Sequence, residues 1–382
     1  VGSRMVRPCV WAICVYHHRK HQTKSPQASK LMVHEDGFDS VERKVLMGTC
    51  GWSDPSLLRC GRFYPGSVKT AEDRLVHYSA HWPCVEVDTT TYAIPRPAQT
   101  SKWVAAVKSS TPGFKFHVKA FGLFCSGTVA LSALPGEVRD SLGDQPLSGG
   151  VKHNGAGKVE MVTLGSLGEE RVAQVWDIFH SALKPMKDSG TIGMVVFQFH
   201  LGFSPTEANK EHVLWCRSQL SPDLTMAAEF RDRSWFVDSP SESGSKAEGT
   251  YRSAKSIGPD AAFGCGKLEK LAAWLHEHGI VLVAADELRH ETFQRDKQQA
   301  GLPEGAQREV LPIALAVTNP TAGVYVRVHR RHGKADERML PPHEHAAWAR
   351  RLARVLSRPP GQTKKGATPA SRAATTGTTG MA

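Results

Sequence analysis

No Cys-x-x-Cys pair occurs anywhere in the 382 residues, although there are eight cysteines, at 9, 14, 50, 60, 84, 125, 216 and 265. Zinc ribbons, iron–sulfur sites and thioredoxin-type redox centres therefore lack their spacing, and free thiols in a reducing compartment are expected. Also missing is any apolar run of the ~18 residues that a membrane-spanning helix needs. The longest β-like apolar stretch near the start, Cys9 to Tyr16, is far too short. Nucleophile elbow, Walker loop, H-E-x-x-H and G-x-G-x-x-G fingerprints are all absent. Gly264-Cys265-Gly266 matches too little of a phosphate loop to count.

The interior of the chain is also short of net charge. The sequence carries +11 overall, but residues 1–45 hold eight Lys/Arg against four Asp/Glu, and residues 346–382 hold seven against none. That leaves 33 of each sign between them, so the high pI describes the ends. A nucleic-acid partner is accordingly admitted but not favoured, and no membrane partner is expected. Residues 1–44 read as a basic, disordered leader, which could act in targeting or be a mistranslated segment. Residues 358–382 read as a disordered basic tail. An intracellular location, with cytoplasm favoured over an organelle, fits the cysteine usage.

From residue 45 to 357, short β-type runs alternate with helical patterns, the signature of a parallel α/β domain. The runs are Val45–Gly48, Val85–Thr90, Phe114–Ala120, Gly193–Phe199, Met226–Phe230, Ile280–Ala285 and Val324–His329. Thr70 with Asp73 forms a capping-box pattern ahead of Leu75, Tyr78 and Trp82 on one helical face. Val172, Val175, Trp176, Phe179 and Leu183 share another face. So do Leu268, Leu271 and Leu275 before Gly279, and Trp348, Leu352 and Val355 after Pro341-Pro342. Three stretches, about 122–168, 237–266 and 288–311, break the rhythm and read as mobile loop insertions. The expected fold is a TIM-type (β/α) barrel with long insertions whose last strand is missing. The open edge that results must be covered, by the spare apolar segment Ile313–Val317 or by a terminal tail, unless the chain is truncated. Truncation is the favoured expectation.

Side chains two apart share a strand face. Glu86 and Asp88, His117 and Lys119, Gln198 and His200, Glu229 and Arg231, and Arg327 and His329 are such pairs, and Asp286 with Glu287 ends the sixth run. Six successive strands thus end in ionisable or amide groups, where purely structural strands would end in apolar ones. In barrels of this class the carboxyl-terminal mouth holds the active site. Glu86, Lys119, Glu229, Asp286 and His329 are the catalytic candidates. Trp52, Tyr92, Gln198, Arg231, Trp235 and Arg327 are the substrate-binding candidates. Glu86, Glu229, Asp286 and His329 would also suit a divalent metal of unspecified identity. The aromatics admit a plainer reading as core caps, and any one histidine a reading as a satisfied core residue.

At these residues the sequence resembles the YecE-like family, the domain of unknown function 72. Gly48-Thr49-Cys50-Gly51-Trp52-Ser53 is similar to its G-T-S-G-W-S signature, with Phe63-Tyr64-Pro65 shortly after. Glu86 to Tyr92 resembles E-I-N-S-T-F-Y, Lys119-Ala120 its Lys-Ala pair, Phe197-Gln198 its F-Q, and Glu229 to Trp235 its E-F-R-x-x-S-W. Asp286 and Arg327-Val328-His329 match the last polar strand ends. Cys50, Asp54, Asp88, Thr91, His200-Leu201 and Arg330 depart from the family pattern, and its final F-N-N strand has no counterpart. The resemblance implies a TIM-type barrel and a site, without a reaction. Three functions follow: a barrel enzyme of hydrolase, lyase or isomerase type using acid–base or metal-assisted chemistry on a small polar, phosphorylated or glycosidic substrate; a nucleic-acid-processing or binding barrel; or a non-catalytic relative.

Overall fold

The computed structural model describes residues 10–18, 42–59, 61–108, 110–143, 151–154, 157–236, 251–252, 266–287, 307–308, 311, 313–329 and 342–357. Eight strands form one closed barrel. They are β1 (Val10–His18), β2 (Glu42–Cys50), β3 (Cys84–Val87), β4 (Lys115–Lys119), β5 (Ile192–Phe199), β6 (Thr225–Phe230), β7 (Val281–Glu287) and β8 (Val324–His329). Strands β2 to β8 run parallel in chain order. All seven coincide with the runs read from the sequence.

The ring is closed by β1, which pairs antiparallel with β8 on one side and β2 on the other. This corrects the expectation of a wholly disordered leader over residues 1–44. The Val-Trp-Ala-Ile-Cys-Val-Tyr stretch has strong strand propensity, and two unpaired barrel edges offer it a backbone ladder on both sides. A terminal segment, not Ile313–Val317, therefore covers the gap. That apolar segment forms no strand. It is buried at Ile313, Ala314 and Leu315 and held by the Thr318 hydroxyl, which donates to Ile280 O and accepts from Leu282 N.

Helices cover the outer face: α1 (Ala71–Ser79), α2 (Pro97–Lys108), α3 (Leu164–Asp188), α4 (Glu207–Gln219), α5 (Gly266–Glu277) and α6 (Pro342–Ser357). The Thr70–Asp73 capping box is formed in both directions and starts α1. Tyr78 on that helix is fully buried; its hydroxyl accepts from Thr49 N and donates to Cys84 O, so α1 fixes the ends of β2 and β3 together.

The stretch 122–168, expected to be loop, is structured where it is described. Thr128–Ala130, Gly157–Thr163 and Val151–Asn154 form a three-stranded antiparallel sheet, with short helices at Gly122–Ser126 and Gly136–Asp140. Phe121, Phe124, Val129, Val138 and Val162 are buried there. The elements are too short to show a period, which is why the sequence looks irregular. Residues 1–9, 19–41, 358–382 and most of 237–266 and 288–311 lie outside the described residues.

The strand alternation divides the barrel into two apolar zones. Val85, Val87, Phe116, Val118, Phe197, Phe230, Leu282, Val326 and Val328 face the helices in the main core. Leu46, Cys84, Met194, Val196, Ala227, Val281, Val283 and Tyr325 pack in a separate cluster inside the lumen. The polar site rests on this inner plug, toward the carboxyl ends of the strands.

Candidate active site at the barrel mouth

Arg327 on β8 is the centre of the site. It shares the inward face with Tyr325 and His329 and is 3% exposed. Its guanidinium meets Glu86 of β3 at two points, Nε donating to Oε2 and Nη2 to Oε1, each at 3.0 Å. The remaining nitrogen, Nη1, donates to Oε2 of Glu229 on β6 at 2.5 Å. Both glutamates are fully buried. Glu86 also accepts from the Tyr325 hydroxyl at 2.8 Å and the Cys50 thiol at 2.9 Å. Glu229 Oε1 accepts from Gln198 Nε2 at 2.9 Å. A planar guanidinium with donors in fixed directions suits this task, and a lysine could not meet both carboxylates in the same way.

Burial pushes both glutamate carboxyls toward the neutral form, but the charge of Arg327, aided by Lys119, outweighs it and holds both below the usual range. The Cys50 thiol is driven well up by burial and by Glu86, so it remains a donor and is no nucleophile. His329 Nε2 lies 3.1 Å from Arg327 Nη1. The same nitrogen lies 3.8 Å from Glu229 Oε1, so the ring is held between the arginine and this carboxylate.

Above this layer lie groups that are only partly buried. Lys119 at the end of β4 donates from Nζ to Gln198 Oε1 at 3.0 Å, and Gln198 passes the contact on to Glu229. Arg231 follows Glu229 on the same face, with Nε 3.9 Å from Glu229 Oε1 and a side chain 15% exposed. Glu86, Lys119, Gln198, Glu229, Arg231, Arg327 and His329 are thus brought together as the strand alternation suggested.

Four candidates are placed elsewhere. Asp286 shares the outward face of β7 with Leu282 and Ala284, and its Oδ2 accepts from Trp348 Nε1 of α6 at 2.8 Å. The alternation puts position 286 on the helix side, so it ties α6 to the barrel. Trp52 is buried against Trp103, with Nε1 donating to Ala71 O. Trp235 stacks on Phe230 at 4.1 Å and donates to Phe203 O, deep in the outer core. These two are core caps and not pocket walls. Tyr92 projects into solvent at 74% exposure. The suggested metal set is therefore not assembled: Asp286 is on the wrong face, and Glu86 and Glu229 are already held by Arg327. Among the described residues no group of three or more His, Cys, Asp or Glu side chains is arranged to hold a metal ion.

His117 has a structural task. A register shift between β4 and β5 leaves Met194 N to donate to His117 Nδ1 at 3.1 Å. Gly193 leaves room for the ring, since a methyl there would sit 2.7 Å from it. Burial lowers this imidazole to about 3 and keeps it neutral.

One residue of the mouth was missed as a site candidate. Asp88 follows Glu86 by two, and the turn Thr89–Thr91 begins there without any capping bond from its side chain. The Thr90 hydroxyl sits between Val87 O and Lys119 O, fixing this turn to the end of β4. Gly51, at φ 75°, leaves a β-carbon's position 3.6 Å from Asp88 Oδ1. The signal was the shared face with Glu86. A separate cleft between α3 and α4, lined by Leu164, Val172, His212 and Trp215 among others, gathers no such set of charges.

The family model described as "Protein of unknown function DUF72" matches residues 46–247. UPF0759 protein YunF of Bacillus subtilis (strain 168) is 30% identical over 193 residues, covering 50% of this chain and 52% of that protein. The chain thus spans about half the length of that curated relative. Two solved structures of DUF72 family proteins are similar at 18% identity. The one from Enterococcus faecalis V583 has a TM-score of 0.41 over 72% of this chain and 66% of its own. The one from Thermotoga maritima MSB8 has 0.37 over 63% and 65%. Among the described residues no helix is long and apolar enough to cross a membrane.

Proposed function

The chain belongs to the DUF72 family of proteins of unknown function, and we propose that its barrel mouth is the site of an enzyme acting on a small polar substrate with an anionic group. Read as a TIM-type barrel, the fold puts ligands at the carboxyl ends of its strands. The observation that carries the reading is the split between two layers. Below, Glu86, Arg327 and Glu229 spend their charges on one another. Above, Lys119 and Arg231 are partly accessible cations, each placed by a neighbour in that network. A phosphate or carboxylate entering the mouth meets these two first, and the low-dielectric floor strengthens the attraction.

Glu86 and Glu229 are ionised and surrounded by donors, which makes them weak proton acceptors. Their part is to fix Arg327 and set the field, and proton transfer falls to another group at the mouth. The chemistry is of hydrolase, lyase or isomerase type, without a metal held by these side chains. The antiparallel β1 favours a second reading, binding without turnover. It stands where the resemblance would bring an asparagine-ended parallel strand to the same mouth.

The test is a thermal-shift screen of the full chain against inorganic phosphate, sugar phosphates, nucleotides, short oligonucleotides and divalent metals. A ligand at a hundredfold excess over Kd stabilises the native state by about 2.7 kcal/mol. Phosphate compounds should raise the midpoint, and Lys119→Met or Arg231→Met should remove the rise. Shifts from metals alone would sink the reading, and shifts confined to oligonucleotides would support the nucleic-acid alternative.

A further inference from the structure

We propose that Asp88 reads a hydroxyl on the substrate, so that the ligand class of this mouth is a hydroxylated phosphate monoester such as a sugar or polyol phosphate. This rests on the anion-binding reading above and adds the second half of the recognition.

Hydrogen bonding at the mouth is unevenly shared among the three carboxylates. Glu86 accepts from Arg327, Tyr325 and Cys50, and Glu229 accepts from Arg327 and Gln198. Asp88, at the edge of the same group, is partly buried and its side chain does not cap the turn that it opens. A carboxylate offers only acceptors, and one that meets just its own backbone N–H among the described residues is poorly satisfied in a half-buried place. Its carboxyl is accordingly pushed up, first by burial and then by Glu86, with Lys119, that backbone N–H and Arg327 opposing. Its position is nevertheless held firmly, because Thr90 binds the turn to β4 and Gly51 keeps the space beside it open. A rigid, donor-poor carboxylate at a mouth is complementary to something that brings a donor.

The donor is a neutral one. The charged groups facing Asp88 are Lys119 from β4, Glu86 from its own strand and Arg327 from β8. With Arg231, Glu229 and Asp88 itself they make three cations and three anions, with Lys119 already supplying the local positive charge. A ligand ammonium at Asp88 would be repelled by Lys119, whereas a hydroxyl would not. The anion at Lys119 and Arg231 and the donor at Asp88 therefore belong to one molecule, a phosphate monoester with a hydroxyl on its carbon chain. Asp88 then touches the substrate where its proton could be taken up, which supplies the group the floor of the site lacks.

Isothermal titration of the full chain with inorganic phosphate, glycerol 3-phosphate and ribose 5-phosphate tests this, in wild type, Asp88→Asn and Asp88→Ala. At least one of the two esters should bind the wild type about tenfold more tightly than inorganic phosphate. Asp88→Ala should abolish that gap and Asp88→Asn should shrink it. Both variants should hold inorganic phosphate as tightly as wild type or more so, since a negative charge has gone. This retained phosphate binding is the control against a merely damaged fold. Equal binding of esters and inorganic phosphate by the wild type would overturn the inference and leave the anion site standing. So would a gap that survives in Asp88→Ala. No binding of any phosphate by any of the three proteins would overturn both.

Discussion

Arg327 and Glu86 form a two-point ion pair across the lumen, with both contacts at 3.0 Å and neither side chain more than 3% exposed. Such a pair is no simple source of stability, because removing both charges from water costs nearly what their attraction returns. What it does supply is dependence: with Arg327 gone, two buried glutamates lose their counter-charge together. Arg327→Met is expected to destabilise the fold by roughly 3–5 kcal/mol, and Arg327→Lys by somewhat less, since it keeps the charge and loses the fork. Adding Glu86→Gln to Arg327→Met should recover part of the loss. Denaturant titration of these variants and of Glu86→Gln alone checks this, and additive effects would show that the two residues do not share one network.

A second expectation concerns pH. An unfolded histidine takes up a proton near 6.5, whereas His117, buried beside Met194 N, resists protonation down to about 3. Between these values the unfolded state binds more protons than the folded one. Stability therefore falls as pH drops below 6.5, by up to about 1.4 kcal/mol per unit from this group. Glu86 and Glu229 act in the same direction lower down. Their folded values are depressed, so the stability they give is present above the unfolded value of 4.5 and is lost as pH falls below it. His117→Gln keeps an acceptor for Met194 N and removes the first slope. Urea midpoints at pH 7.5 and 5.5 should converge in this variant relative to wild type. An unchanged difference would mean that the ring is not kept neutral.

The legible part of this molecule was what repeats. Seven parallel strands showed themselves as β-type runs, and α1 announced itself through Thr70 and Asp73, because pattern and capping are local signals. The polar strand ends were equally plain, since Glu86, Lys119, Gln198, Glu229, Arg231, Arg327 and His329 all fall on the inward alternation. Asp286 was misplaced for an instructive reason. It is polar and it ends a strand, but its parity is that of Leu282 and Ala284, and parity decides which face a side chain takes. Trp52 and Trp235 were ambiguous because an aromatic at a strand–loop junction suits a pocket and a core equally well. Only the partners distant in sequence, Trp103 for Trp52 and Phe203 for Trp235, decide between them, and no local pattern contains those.

The closing strand was illegible for a different reason. Val10–His18 lies in a basic stretch whose composition suggests disorder, and its partners are β8, more than 300 residues away in sequence, and β2. Nothing local shows that both edges of a seven-stranded sheet are waiting for it. If β1 completes the ladder, deleting residues 1–18 leaves the backbone groups of β2 and β8 without partners along one side, and the arrangement of Arg327 and Glu86 loses its frame, since β8 and β3 flank the opening through β2. The shortened chain should then melt at a lower temperature and less cooperatively than the full one, or associate through its open edges. A milder variant, Ile13→Pro, removes a ladder donor and fixes the backbone away from the strand, so it should act in the same direction. Thermal unfolding with light scattering on both proteins is the measurement. If both melt like the full chain and stay monodisperse, β1 is dispensable to the barrel and the seven parallel strands hold the site without it.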